Sequence, residues 1–466
     1  MGAPAAAYSL ADTPIPLGGA IPAAPPAAPA AAASAAVPAR RRPLRLARPA
    51  RVRTFEALEG RSFRWFFLSM SAQFSSMHMQ MVVTPYLVFE LTGSYALLGA
   101  MSLASAVPGL LLGFAGGVIA DRVSKKWLVQ VGQALNALFT LALAALAATG
   151  HLRFEHLLLS SAAQGAVFAV MGPARHALIP EIVGPQRLTN AVALNMSGMN
   201  VTRMGVPALG GLLIAWVSPA GVYFVMAALL GLSMLWLAPV RRYEPTEDEA
   251  AASRAADPVT ARSGRGVGAG MRDLVDGMRY IAREPAISAL LAVNFFIVLM
   301  SMPYMQMMAG FVKEVLDAGP AQLGLLLSIT GVGSLVGSLA IASMPGRGRG
   351  RVYLLSALVL GFALLVFSAS TWFWVTAIVM VVIGVGQSGR MSLSNILIMA
   401  YARPSYQGRV MSVFMMEFSL VSFGTFLVGI LASLFGVQLA IGGTAVALIA
   451  VALIGWRFVP RVRDLP

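Results

Sequence analysis

Apolar blocks about 20 residues long follow one another along most of the sequence. That is the length an α-helix rising 1.5 Å per residue needs to cross a hydrocarbon core about 30 Å thick. Ala286 to Met302, Arg351 to Ser370, Trp372 to Ile383 and onward, and Ala440 to Trp456 are examples, each nearly free of charge. Of the 466 residues 58% are hydrophobic and 11% charged, whereas a soluble domain carries about 25% charged residues. The fold class this implies is an all-α polytopic membrane protein.

The spans fall at 62–90, 95–120, 126–149, 154–179, 188–216 and 219–239, then at 286–310, 321–344, 351–369, 371–400, 408–435 and 437–458. Six spans, a polar gap and six spans make twelve transmembrane helices in two six-helix halves. The corresponding divisions are a tail at 1–55, an N-terminal half at 56–240, a central loop at 241–285 and a C-terminal half at 286–466. The tail is Ala/Pro-rich and then Arg-rich from Arg40 to Arg53. Its apolar part precedes its charges and is broken by prolines, so it reads as a disordered cytoplasmic segment and not as a signal peptide, unless translation starts further along. At the end of the central loop, Met271 to Glu284 places Leu274, Met278 and Ile281 on one helical stripe. This fits either a surface helix on the membrane or a polar helix packed on the protein.

Lysine and arginine are distributed unevenly. With a cytoplasmic N-terminus the inside segments hold Arg122, Lys125, Lys126, Arg187, Arg347, Arg349, Arg351, Arg403, Arg409, Arg457, Arg461 and Arg463, and the outside loops hold only Arg153 and Lys313. The positive-inside rule then puts both termini in the cytoplasm. It also accounts for the net charge of +15 without a nucleic-acid partner, since no basic stripe is interleaved with aromatics. A constant offset matches Gly165 with Gly384, Leu178-Ile179 with Leu397-Ile398, Pro185 with Pro404 and Met196 with Met415. Six helices with both ends on one side repeat in parallel, about a pseudo-two-fold along the membrane normal.

Between spans two and three lies Gly117-Val118-Ile119-Ala120-Asp121-Arg122-Val123-Ser124-Lys125-Lys126. It resembles the loop motif G-x-x-x-D-R-x-G-R-[RK] of the major facilitator superfamily, with Ser124 and Lys125 in place of the usual Gly and Arg. The resemblance implies that superfamily's fold, and a latch between the halves formed by Gly117, Asp121, Arg122, Lys125 and Lys126. The latch would hold the outward-facing state and release on inward opening; a topogenic basic loop with a helix cap is the plainer reading. The corresponding loop of the second half, Met344 to Arg349, keeps the bases and lacks the acid.

Gly172-Pro173-Ala174-Arg175-His176-Ala177-Leu178-Ile179-Pro180-Glu181, Arg187-Leu188-Thr189-Asn190-Ala191, Arg203 and Pro207-Ala208-Leu209-Gly210-Gly211 resemble the subgroup of the superfamily that includes the enterobactin exporter. Pro207-x-x-Gly210-Gly211 also resembles the span-five motif of the exporters, with Thr202 and Val206 where glycines are usual. What this implies is efflux of a small molecule (a drug-like compound, siderophore or other metabolite) across the bacterial cytoplasmic membrane, by a monomer without a cofactor. Uptake by the same fold is the alternative.

Charged and polar groups inside spans are costly in lipid and mark functional or paired positions. Arg203 lies about 22 Å into span five, where it reads as a structural charge paired with carbonyls or with Asn200. Arg390 follows the glycine-rich Gly384 to Gly389, and Glu417 lies about 13 Å into span eleven. Superfamily architecture places spans one, four, seven and ten around the cavity. On that arrangement Gln73, His78, Gln164, Asn294, Gln306, Gln387 and Arg390 are the cavity candidates, and for each amide a helix-to-helix hydrogen bond is an equal alternative. Arg390 in a cavity would favour an anionic group. Glu417, the one acid deep in a span, is either the carrier of a proton-coupled mechanism or half of a structural ion pair. Met77, Met79 and Met81 in span one and Met300, Met302, Met305, Met307 and Met308 in span seven suit variable apolar ligands, and equally suit helix packing. The sequence contains no cysteine and four scattered histidines, so no metal site is expected. A membrane-embedded enzyme on lipid-linked substrate would need a surface cluster of His, Asp or Glu, and the sequence offers none beyond Asp121-Arg122.

Overall fold

The computed structural model describes residues 55–243, 267–344, 348–404 and 406–463, together with Leu465. At 113–122, 267–274, Met415, Phe418 and Ser419 it describes the helical backbone alone. The tail up to residue 54 and the acidic and Gly-rich part of the central loop, 244–266, lie outside the described residues, as do Pro345, Gly346 and Arg347 of the second-half loop.

Every regular element described is helical, as lipid requires of a chain with no other means of pairing its backbone groups. A short 3-10 turn, Glu56–Glu59, leads into α1 (Arg61–Thr92), α2 (Tyr95–Arg122), α3 (Lys125–Ala148), α4 (Phe154–Trp216) and α5 (Pro219–Leu237). After the central loop come α6 (Val267–Arg283), α7 (Pro285–Ser301), α8 (Tyr304–Glu314), α9 (Pro320–Ala342), α10 (Arg349–Ala369), α11 (Phe373–Tyr401), α12 (Gln407–Phe435), α13 (Val437–Phe458) and α14 (Pro460–Arg463). Starts are set locally. Ser124 caps α3 by accepting from the Trp127 N–H at 3.1 Å, and Ser218 caps α5 by accepting from Gly221, with Pro219 in the first turn.

Two departures from the expected spans have identifiable causes. Spans four and five are one 63-residue helical run, α4, sharply kinked at Gly184 (φ 66°, ψ 168°) between Pro180 and Pro185. The ring of Tyr243 packs where a side chain at Gly184 would stand, and the Tyr243 N–H donates to the Glu181 carbonyl at 2.7 Å. Only glycine fits both the left-handed φ and the ring. Span seven is likewise broken, into α7 and α8 at Met302 and Pro303, where proline removes a helical donor.

Among the described residues nine helical segments are long and apolar enough to cross a membrane, with α4 counted once and α7–α8 as one. α1 and α12 fall outside that set. α1 carries Gln73, His78 and Gln80 along its length, and in α12 the unbroken described apolar run is Leu420–Phe435, with Glu417 just before it. Both elements turn polar groups inward. Leucines and phenylalanines exposed on the outside, such as Leu111, Leu159, Leu439 and Phe435, make the lipid-facing belt. Trp216, Trp372 and Trp374 ring one end of it, where indoles favour the headgroup level.

The helices α1 to α5 pack on one another, as do α7 to α13. The two groups meet along α2 with α12 and along the second part of α4 with α9. Both seams are made of small residues. A carbon added at Gly211 would lie 3.1 Å from the Gly324 Cα, and one added at Gly429 3.3 Å from the Gly99 Cα. Without a hydrophobic drive between helices in lipid, such close backbone approach is what holds them together. The matched glycines of the sequence repeat play equivalent parts, Gly165 packing α4 on Ser105 of α2 and Gly384 packing α11 on Thr330 of α9.

The amphipathic helix is present as α6, and it packs on the protein. Tyr280 is buried and stacks on Tyr406 at 4.3 Å, its hydroxyl accepts from the Arg403 N–H, and Glu284 pairs with Arg403 at 3.3 Å. Met278 faces outward. The Leu274 side chain lies outside the described residues.

Candidate transport cavity and buried charge network

A cavity of about 560 Å³ opens between α1, α2 and α4 and is closed on its far side by Gln306 of α8 and Ser422 of α12. Its walls are mostly apolar, with Met77, Met81, Met101, Met171 and Phe168 among them, interrupted by amides and hydroxyls. Of the cavity candidates, Gln73, Gln164 and Gln306 line it. Gln164 donates to Ser160 at 2.9 Å and Gln306 to Ser102 at 2.9 Å, so each is oriented with polar capacity to spare. Gln73 accepts from Gln133 at 3.2 Å, within a buried cluster that includes Ser69 and Ser233. In span one Met77 and Met81 face the cavity and Met79 is buried; in span seven Met307 and Met308 are fully buried packing residues.

One lining residue escaped the sequence reading of the site. Arg175 is the only charged side chain among the described residues of the wall, and its guanidinium lies over the rings of Phe74 (5.2 Å) and Phe168 (5.9 Å). It makes no hydrogen bond or ion pair among the described residues. The signal was present, as an arginine inside an apolar span beside Pro173, but it was absorbed into the subgroup resemblance.

The remaining candidates lie away from this wall. Arg390, Asn294 and Tyr353 are fully buried and Glu417 nearly so. The Asn294 amide bridges them, donating from Nδ2 to Glu417 Oε2 at 2.6 Å and accepting at Oδ1 from Arg390 Nη1 (3.3 Å) and the Tyr353 hydroxyl (3.2 Å). Arg390 Nε and Nη2 are left without partners, so the guanidinium is only partly satisfied. Gln387 donates to the Met302 sulfur at 3.3 Å, and its carbonyl oxygen is buried without a donor. His78 is buried with Nδ1 against the Phe74 carbonyl at 2.8 Å. Arg203 is half-buried and makes no hydrogen bond with Asn200 or any carbonyl among the described residues. Its backbone carbonyl packs against Gly331 of α9.

Of the loop motif, the side chains of Gly117, Asp121 and Arg122 lie outside the described residues. Lys125 pairs with Glu181 at 2.5 Å, next to the Gly184 kink, and Lys126 donates to the carbonyls of Ala238 (2.6 Å) and Val240 (2.8 Å) beyond the end of α5. Both lysines therefore hold the first group of helices together, and carbonyls past a helix C-terminus are a natural site for a cation. The hydrogen bonds and ion pairs that join the two groups lie elsewhere. Tyr95 donates to Glu314 at 2.7 Å, Lys313 pairs with Glu90 at 2.7 Å, and the Ala96 N–H donates to Ser433 at 2.9 Å, all at the end where α1 turns into α2.

A family model described as transmembrane secretion effector matches residues 52–465. The chain belongs to that family. The curated relatives it matches are transporters. The multidrug efflux pump Tap of Mycolicibacterium fortuitum is 23% identical over 392 residues, covering 82% of this chain and 92% of that one. The staphyloferrin A transporter of Staphylococcus aureus is 22% identical, covering 73% and 82%. The fold is that of a bacterial homologue of the human lysosomal transporter Spinster in its inward-facing, unoccupied conformation (TM-score 0.69, 14% identity, 87% of this chain and 97% of that one). It is also that of the nucleoside transporter NupG (TM-score 0.65, 13% identity, 84% and 97%). The chain is thus a major facilitator secondary transporter of a small molecule, without enzymatic chemistry, spanning a bacterial inner membrane many times.

Proposed function

We propose that the chain exports an amphipathic small molecule by alternating access, with twelve spans in two six-helix halves rocking about the seams α2–α12 and α4–α9. The observation that carries this reading is the 560 Å³ cavity, in the volume range of drug-sized ligands, with a mostly apolar wall. Tyr95–Glu314, Lys313–Glu90 and Ala96–Ser433 join the groups at the α1–α2 end, and Gln306–Ser102 and Ala208–Ser328 join them toward it. With both termini cytoplasmic that end is external, so the structure corresponds to a state sealed outside and loading from inside. Lys125 and Lys126 are engaged within their own half, which is consistent with this state. Export as the direction is supported by the relative described as an efflux pump and by Pro207-x-x-Gly210-Gly211. Proton coupling is assigned to Glu417, which shares Asn294 with Arg390.

The test is dye retention. Cells expressing the protein and loaded with N-phenyl-1-naphthylamine should retain less of it than cells with an empty vector, and the difference should vanish when the proton gradient is dissipated. Greater retention in the expressing cells would reverse the direction.

A further inference from the structure

Several of the span-borne and loop cations described in this protein have a counter-group. Lys125 has Glu181, Arg187 has Glu56 and Glu59, Lys313 has Glu90, Arg403 has Glu284, and Arg390 has the Asn294 carbonyl. Arg175 has only ring faces, those of Phe74 and Phe168. Arg203 shares that lack of a hydrogen-bonded partner and is not part of the cavity wall. A guanidinium presents five N–H donors in a planar fork, and aromatic faces satisfy its charge without accepting those donors in the plane. An arginine merely reaching for the membrane surface would extend its head into water. This one instead lies over the rings of Phe168, on the cavity wall, and Phe74, buried behind it, about 13 Å along α4 before the Gly184 kink.

The rest of the wall sharpens the point. Gln73, Gln80, Asn136, Gln164 and Gln306 supply neutral dipoles, and no carboxylate among the described residues lines the cavity. The field inside is therefore of one sign. In a partly water-excluded space that favours an anion and disfavours a cation far more than bulk water would allow. The Asn136 carbonyl oxygen is buried without a donor, so the wall also keeps an acceptor for a neutral polar group of the cargo.

We propose that Arg175 is the anion-recognising residue of the cavity. The cargo class is then an amphipathic molecule with a carboxylate, phosphate or sulfonate attached to an apolar body. The acid binds the guanidinium fork in a bidentate manner, Phe74 and Phe168 hold that fork flat, and the methionine-lined wall takes the apolar part. This rests on the export reading only for direction, because a binding site for an anion is the same site whichever way the carrier turns.

The test compares two probes with the same phenylnaphthylamine body, 1-anilinonaphthalene-8-sulfonate, which bears an acid, and neutral N-phenyl-1-naphthylamine. Binding is read by fluorescence on the full-length protein in phosphatidylcholine nanodiscs, with empty discs subtracted. The wild type should prefer the sulfonate by about tenfold or more, the worth of a charge-assisted hydrogen-bonded contact. Arg175→Gln should abolish that preference while binding the neutral probe as before, and Arg175→Lys should keep part of it. A sulfonate affinity unchanged in Arg175→Gln overturns the assignment. So does loss of both probes together, which would make Arg175 a clamp between α1 and α4 and nothing more. Sulfonate preference in discs without dye export in cells would overturn the export reading alone and leave the anion site standing.

Discussion

Asn294 is one amide serving two charges. Its Nδ2 donates to Glu417 and its Oδ1 accepts from Arg390, so the carboxylate and the guanidinium communicate through it without forming an ion pair of their own. Breaking a buried charge arrangement by removing one member costs about 3–5 kcal/mol in soluble proteins, while a hydrogen bond between membrane helices is worth about 0.6 kcal/mol on average. The larger figure applies to Arg390, already short of two partners. On the proposed proton coupling, a proton arriving on Glu417 would change the charge that Asn294 shares with Arg390 and so give the second group of helices a means of sensing the gradient. Glu417→Gln should therefore leave dye binding intact and remove the gradient dependence of export, so that ionophore no longer changes the rate in reconstituted vesicles. A variant whose export still collapses with the gradient would assign coupling to another group. Glu417 and Arg390 stood out in the sequence because charge is rare in apolar runs. Their joining by Asn294 did not, because an amide every few turns of a helix does not say which neighbour it meets. Arg175 was equally visible as a charge, but in the sequence it belongs to the stretch Gly172 to Glu181 that carries the subgroup resemblance, and nothing local says that it faces a cavity.

The elements were legible as apolar blocks, and the breaks within them were only partly so. Pro180, Gly184 and Pro185 read as a loop between spans, yet the backbone stays helical up to a single glycine and turns there, fixed by Tyr243 from beyond α5. No local pattern could have named that partner. The small-residue seams were hidden for a related reason, since a glycine in an apolar helix marks close approach without saying to what. Gly324 faces Gly211 so closely that any larger side chain must separate α4 from α9. Overpacking of about 1–3 kcal/mol should lower the externally sealed population about fivefold to a hundredfold. The measurement uses Ala96→Cys with Ser433→Cys, whose backbone N–H and hydroxyl now sit 2.9 Å apart across the other seam. The sequence has no cysteine to compete. Oxidation should link the pair readily and arrest transport until reduced, and adding Gly324→Leu should slow the linking. If linked protein still transports, the seam does not open during the cycle.

Orientation belongs to the whole molecule, because it follows from where charge gathers relative to every helix end at once. One end of the bundle gathers Lys125, Lys126, Arg187, Arg242 and Arg403, with Glu181, Glu56, Glu59 and Glu284 as partial counter-charge. The opposite end carries Arg153 and Lys313, and Lys313 is held there by Glu90. Acids weigh little in membrane orientation while lysine and arginine weigh heavily, so the counter-charges do not cancel the bias. The Arg-rich run from Arg40 to Arg53 and the arginines from Arg241 through Arg265 add to the same side if the helices alternate as twelve spans. An odd number of spans before the central loop would put that loop and the first tail on opposite sides, with more than ten basic residues translocated, at an energetic penalty that the retained asymmetry argues against. Reporter fusions after Arg41, Thr260 and Pro466 should therefore all give cytoplasmic signal. A periplasmic signal at Thr260 and Pro466 together, with Arg41 still cytoplasmic, would mean that α4 crosses once despite its kink at Gly184.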